Sequence, residues 1–560
     1  MIDLQVSGPL FPLFVLIWPL VLGLAASLPS VRSNAIVLLP LAPLPALVLA
    51  VVGPLNIPTE AGILLLGVTL NLDINGTLFL GAISGLWCLG GIFALGYMRM
   101  TPNPAVFAGF WCLTLSGNLG VVLSQDAGSF YVSFAAVSLA AYFLVVHERT
   151  ERALYAGRIY IFLAVVGEAL LLIGLLIGVD AANSMSIAKI RVALADAPQA
   201  GWAVFCLIGG LGIKAGLVPL HVWLPLAHPA APTPASAVLS GAIVKAGIIG
   251  FIQFLPDGTA LWPSMLLVLG LAGTYGAVFL GLGQTNPKAI LAYSTISQMG
   301  LVIAVIGVGH LTGNTVAAYG AAALYCAHHG LAKGALFMSV GMVGKSGRTF
   351  MPFVLFVTGL MAASIAGAPF AGGALAKSAI KTLFEDWALL LVTLSGAGTT
   401  LLLARFLMTI ASNHGPEPDK RPSALMSVPW FVAVVAALLV PWVLVDRYSD
   451  LSVPYLLSTG ALWDASWPVA LGLVCFFVGL RLLPGGFRVA EGDIAGPLVK
   501  SVAAVKRMLA AVPEPTVPTI KGLDHIVSAS RTQAAERRLL QLAPICVAAL
   551  ILAMLMFANI

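Results

Sequence analysis

Charge is what this sequence has least of. Only 9% of its 560 residues are Asp, Glu, Lys or Arg, against roughly 25% in a soluble domain. So few charges cannot clothe a water-facing surface. Cysteine is scarce as well: Cys88, Cys112, Cys206, Cys326, Cys475 and Cys546 stand singly in apolar stretches, with no CxxC pair. That removes any sequence case for an iron–sulfur cluster, a zinc site or a disulfide framework, and leaves buried structural thiols. Neither GxxxxGK[ST] nor a GxGxxG between strand and helix occurs, so nucleotide binding has no support. The formal net charge of +6 is gathered into a few loops, which reads as membrane topology and not as nucleic-acid binding.

What is present is hydrophobic. Sixty per cent of the residues are apolar or aromatic and the mean hydropathy is +1.02. Apolar windows of about 20 residues, the length that spans a bilayer core, recur along nearly the whole chain, about sixteen from 9–28 to 538–558. Uninterrupted runs such as "LLLVTLSGAGTTLLLARFL" exclude a β-barrel, whose strands alternate. The chain is therefore an all-α polytopic membrane protein. The first window lacks a positively charged start and a small-residue cleavage site, and reads as a retained helix.

Lys and Arg favour alternate loops: Arg99; Arg149 and Arg152; Lys288; Lys345 and Arg348; Lys420 and Arg421. By the positive-inside rule these loops face the cytoplasm and the N-terminus lies outside. The expected location is the cell's inner (plasma) membrane. Residues 482–537 are proline-broken and basic, and "LVKSVAAVKRMLAAV" has helical spacing. That suits a helix on cytoplasmic headgroups or along a partner subunit, or a solvated linker.

Ionisable residues deep in apolar windows are few: Glu168, Lys214, Lys245, His328, His329, Lys333 and Lys377. Each charge at mid-helix costs roughly 2.5–3.5 kcal/mol on insertion scales, so each is a functional hypothesis. His329 and Lys333 share a helix face with Tyr325. Lys214 and Lys377 sit beside helix breakers, "VPLHVWLPLAHP" after the first and "GAPFAGGALA" before the second. Broken helices at membrane depth line protein or water and place helix ends next to ions. Two such breaks suggest two related halves.

Four motifs carry a specific resemblance: "KAGLVPLHVWLPLAHPAAPTPASAVLSGAIVKAG", "NPKAILAYSTISQMGLV", "HHGLAKGALF" and "GAPFAGGALAKSAI". Across roughly residues 70–410 the chain resembles the antiporter-like membrane subunits of respiratory complex I, of Mrp-type cation/proton antiporters and of energy-converting membrane hydrogenases. The resemblance implies about 14–16 transmembrane helices with two inverted five-helix repeats, each containing a broken helix. It divides the chain into N-terminal helices (1–100), a first repeat (101–255), a second repeat (256–411) and C-terminal helices (412–481). The basic segment (482–537) and a terminal helix (538–560) follow. It also implies a proton pathway, sodium-linked in some members, through Lys214, Lys245, His329, Lys333 and Lys377. His328, without a family counterpart, joins His221 and His228 as accessory candidates. The implied partners are other membrane subunits of one complex, the lipid bilayer, and protons or Na+; no cofactor and no nucleic acid is implied.

One departure matters most. The family pattern resembles "VLSDNLLLLYLFWELTGLCSYLL", and here "VLSQDAGSFYVSFAAVSLAAYFL" puts Ala135 on the glutamate. Glu168, on the next helix, is the expected replacement partner for Lys214, because a desolvated lysine needs a carboxylate if it is to switch. Leu226 and Ser378 stand where acidic residues are common, which sets the chain among divergent members. The expected function is proton translocation within an NADH dehydrogenase-like, hydrogenase-like or antiporter complex, with no redox centre in this chain. Two alternatives are a subunit feeding proton-motive force to a non-redox partner such as an inorganic-carbon uptake complex, and a non-conducting scaffold.

Overall fold

A backbone out of water must pair its own N–H and C=O groups, so long apolar windows become helices. The computed structural model describes residues 10–53, 55, 58–61, 67–258, 261–412, 419–482 and 488–490. The chain opens with α1 (Phe11–Ala25), a 3₁₀ segment (Arg32–Leu38), α2 (Leu44–Val52) and a small hairpin, β1 (Thr59–Ala61) with β2 (Val68–Leu70). Then come α3 (Ile74–Tyr97), α4 (Pro104–Leu123), α5 (Ala127–Val145), α6 (Glu151–Ala182) and α7 (Ile187–Asp196). The first broken helix is α8 (Ala200–Ala215) with α9 (Trp223–Ala230). It is followed by α10 (Thr233–Val238), a π-helical segment (Leu239–Ile243) and α11 (Lys245–Phe254).

The second half runs α12 (Leu261–Leu282), α13 (Pro287–Leu311) and α14 (Thr315–Lys345), then the second broken helix, α15 (Met351–Ala366) with α16 (Gly372–Lys381). It ends in α17 (Asp386–Ala411), α18 (Ala424–Tyr448), α19 (Val453–Leu456) and α20 (Thr459–Leu482). Among the described residues, ten spans, with α10 to α11 taken as one, are long and apolar enough to cross a bilayer; α1, α8 and α15 are shorter apolar helices.

Of the sequence's apolar windows, the one at 34–54 does not form a single span, and the one at 314–343 is a helix that carries ionisable side chains. The span expected at 34–54 is split into the 3₁₀ segment and α2, because Pro40, Pro43 and Pro45 deny the backbone a continuous ladder. The window at 314–343 is α14, 31 residues long, outside the ten because it carries His328, His329 and Lys333. It runs through the bundle's middle, against α3, α10, α13, α15, α16 and α18. The window at 538–558, and the basic segment beyond position 490, lie outside the described residues.

Contacts between loops sort the helix ends into two faces. On one, the Lys288 ammonium donates to Ala231 O, Gly347 N to Lys420 O, and Val489 N to Gly283 O. This face gathers Arg99, Arg149, Arg152, Lys345 and Arg348, and is called the basic side below. On the other, Leu70 bridges Ser124, Asp126 bridges Ser186, and the Gln253 amide donates to Ser124 O. Helix α4 starts on the basic side and α12 on the opposite one, and each opens a set of five crossings whose fourth is broken. That order of elements suits two oppositely oriented repeats.

Candidate functional site

Both breaks are built alike. Helix α8 ends at Gly216 (φ 79°) and α15 at Gly367 (φ 94°), left-handed positions that glycine takes without strain. In each, the next N–H folds back, Leu217 to Gly212 O and Ala368 to Ala363 O, the closing bond of a Schellman cap. Each half-helix C-terminus carries an ammonium. Lys214 lies in the last turn of α8, and Lys377 reaches from α16 to donate to Ala366 O at 2.9 Å. A cation is favoured there by the helix dipole and the orphan carbonyls.

Lys214 is 4% exposed and its Nζ faces three rings, Phe134 and Tyr160 at 5.6 Å and Trp223 at 5.9 Å from the centroids. Trp223 donates to Ile213 O and Tyr160 to Ser138 O, which fixes two of the rings. Glu168 lines the same cavity, about 10 Å³, enough for about one water. Neither of its oxygens has a hydrogen-bond partner among the described residues. A β-carbon on Gly210 would stand 2.6 Å from Gly167 O, so α6 and α8 cross backbone to backbone one residue from Glu168. The α5 wall of the cavity is Phe134 and Ser138; Ala135 does not line it.

The centre of the bundle holds a polar cluster whose members share the residues Ser240 and Leu291 as hydrogen-bond partners. The Lys245 Nζ donates to Ser240 O at 2.7 Å and lies 2.8 Å from His329 Nδ1. Ser240 O is available because the π-helical segment shifts Val244 N onto Leu239 O; such bulges often mark functional sites. Ser240 Oγ bonds Thr295 Oγ1 (2.7 Å), Thr295 donates to Leu291 O (3.0 Å), and Lys333 Nζ donates to that same carbonyl (3.0 Å). Lys245, His329 and Lys333 are each at most 1% exposed. Gly241 and Gly330 let the π segment and α14 meet, each prospective β-carbon 2.6 Å from the other's carbonyl.

The neighbouring histidine turns the other way. His328 Nε2 lies 3.0 Å from Ser364 Oγ, in the last turn of α15 beside the Lys377 break. A second hydrogen-bonded run leads there too: the Tyr325 hydroxyl donates to Gln298 Oε1, Gln298 Nε2 to Thr399 Oγ1 (3.0 Å), and Thr399 to Ser395 O (2.7 Å). Ser395 adjoins Gly396, whose prospective β-carbon would be 3.8 Å from Lys377 Nζ. His221 lies buried in the first break, its ring 6.4 Å from that of Tyr293. His228 is fully buried on α9 and stacks on Phe337 (4.6 Å, 24°).

The structure thus groups Glu168 with Lys214, joins Lys245, His329 and Lys333 into one network, and sets His328 with Lys377. Gln298, Thr295, Ser240 and Thr399 escaped sequence reasoning, since a neutral polar residue in an apolar helix is weakly informative. The motif around "STISQMG" was the available signal.

Residues 124–403 match the family described as "NADH:quinone oxidoreductase/Mrp antiporter, TM", half of the chain. Hydrogenase-4 component B of Escherichia coli (strain K12) is 32% identical over 290 residues, covering 49% of this chain and 43% of that protein. Na(+)/H(+) antiporter subunit A1 of Staphylococcus aureus (strain JH9) is 31% identical over 342 residues, 56% of this chain and 43% of that one. The chain therefore spans less than half the length of these curated relatives. Its fold is similar to a chain in the structure of the Mrp complex from Dietzia sp. DQ12-45-1b, with a TM-score of 0.74 and 22% identity over 96% of this chain and 63% of that one. The sequence motifs, the paired helix breaks and the family match agree: this chain is a multi-pass membrane protein belonging to the NADH:quinone oxidoreductase/Mrp antiporter transmembrane family.

Proposed function

We propose that this chain is the proton-translocating subunit of a multi-subunit membrane complex, of the kind its hydrogenase and Mrp relatives name. One observation carries the reading: the buried Lys245–His329 contact, set in a hydrogen-bonded network that reaches Lys333. Burying such groups is costly, and a scaffold would be stabilised by replacing them with apolar side chains. An amine and an imidazole 2.8 Å apart can share one proton, each able to take it from the other.

Protons move in this reading from the Glu168–Lys214 pair through Lys245, His329 and Lys333 to Lys377. The first link is electrostatic, because one water in the cavity can join the carboxylate and the ammonium. The last runs through His328 and Ser364, or along the Tyr325–Gln298–Thr399 bonds to α17. The basic side is cytoplasmic by the positive-inside rule, and the other subunits of the complex supply the driving change. The test is proton movement in vesicles holding the assembled complex, followed with a pH-sensitive dye. Lys245→Ala and Lys377→Ala assemble normally and lose transport; near wild-type transport in both overturns the reading in favour of a scaffold.

A further inference from the structure

Helix α17 carries an arginine that the proton chain leaves unused. Arg405 precedes the end of the helix, Ala411 on the basic side, by six residues, about 9 Å at 1.5 Å per residue. Its side chain is half-buried, and Nη2 makes one long hydrogen bond, 3.4 Å, to Gln284 O in the turn between α12 and α13. Nε is buried and has no hydrogen-bond partner among the described residues. An arginine near a helix end ordinarily extends its head to water; this one is held on a carbonyl instead.

No acid answers it. Helices α12, α13, α17 and α20 and residues 488–490 contain only Asp386 and Asp464, each in the first two turns of its helix at the opposite face. A second cation is brought to the same turn. Val489 N donates to Gly283 O (3.1 Å) and Gln284 Nε2 to Val489 O (3.2 Å), which seats the exposed Arg488 beside the residue that Arg405 holds. Two guanidiniums gathered at one turn without a carboxylate suit an anion. We infer that Arg405 and Arg488 bind the phosphate of an anionic phospholipid from the basic-side leaflet. Guanidinium donors match phosphate oxygens in pairs, and basic pockets between helices on the cytoplasmic side take anionic headgroups. The depth of Arg405 is that of phosphate and glycerol groups and not of bulk water. Met408, Phe477 and Val478, exposed on the adjoining α17 and α20, give acyl chains an apolar surface. Bound there, the lipid ties the chain after α20 to the α12–α13 turn.

The test labels the assembled complex, in mixed micelles, with photoactivatable phosphatidylglycerol or phosphatidylcholine of identical acyl chains. Labelled peptides from α12, α17 and α20 are then counted by mass spectrometry. Two arginines should give phosphatidylglycerol about a 30-fold preference, and Arg405→Gln should lower it about fivefold, the share of one arginine. Equal labelling by the two lipids, or a preference unmoved by Arg405→Gln, overturns the site. Millimolar inorganic phosphate should leave the labelling unchanged; competition by it assigns the arginines to a soluble anion and also overturns the lipid. Glu491→Gln tests an acid further along the chain: a loss of thermal stability equal to that of Arg405→Gln, with labelling intact in both, makes the partner intrachain and sinks the proposal. Should Arg405→Gln fail to assemble, Arg488→Gln alters only an exposed side chain and should lower the preference by a similar factor; no change there overturns the site.

Discussion

Replacing Glu168 by glutamine should leave the protein as stable as before and slow its transport at least tenfold. The carboxylate is 7% exposed, has no hydrogen-bond partner among the described residues, and shares a water-sized cavity with Lys214. Unit charges 4 Å apart attract by about 4 kcal/mol at an effective dielectric of 20. Across a gap that admits one water the separation is larger and the attraction about 2–3 kcal/mol. Glutamine forfeits that attraction. It also relieves the cost of a mid-membrane charge, roughly 2.5–3.5 kcal/mol. The two changes nearly cancel, so assembly and thermal stability should shift by less than about 1 kcal/mol. Coupling does not cancel: at 1.4 kcal/mol per factor of ten, losing 2–3 kcal/mol weakens the link between the sites by about 30- to 150-fold. The assay pairs dye-reported proton movement in vesicles with thermal aggregation of the purified complex. Transport within twofold of wild type would refute the reasoning and leave Glu168 a tolerated polar residue. Adding Ala135→Glu is expected to restore little, because α5 faces the cavity with Phe134 and Ser138.

Gly210→Ala should do the reverse, destabilising by about 1–3 kcal/mol through overpacking, since its β-carbon would lie 2.6 Å from Gly167 O and 2.8 Å from Leu171 N. Gly276→Ala, with nothing within 4 Å of its β-carbon, is the control, and equal thermal stability of the two variants would contradict the crossing. His147, outside the membrane spans, bonds Thr101 Oγ1 (2.8 Å), and burial with the Arg149 charge brings its imidazole down to about 4. A histidine lowered by folding contributes stability above its ordinary value near 6.5, and that contribution fades as pH falls towards 4. His147→Leu should therefore flatten the pH dependence of thermal stability between those limits; an unchanged slope would count against the assignment.

Composition and hydropathy alone set the class of the protein and place its ionisable groups deep in apolar windows. Apolar windows of bilayer length need no tertiary information, and every expected site residue, from Glu168 to Lys377, is indeed buried. The two breaks were equally legible, because glycine and proline act on their own backbone. Partnership was not legible. His328 and His329 are adjacent in sequence, yet one meets Ser364 and the other Lys245, 84 positions away. Lys288 reads in sequence as a topology charge, and only packing sets it on the carbonyl after α9. The aromatic faces around Lys214 come from α5, α6 and α9, joined where α6 and α8 cross at glycines. Periodicity fixes which face of a helix is apolar and how deep a residue lies. Which helix covers that face is decided by non-local close contacts, and those exist only once the bundle has formed.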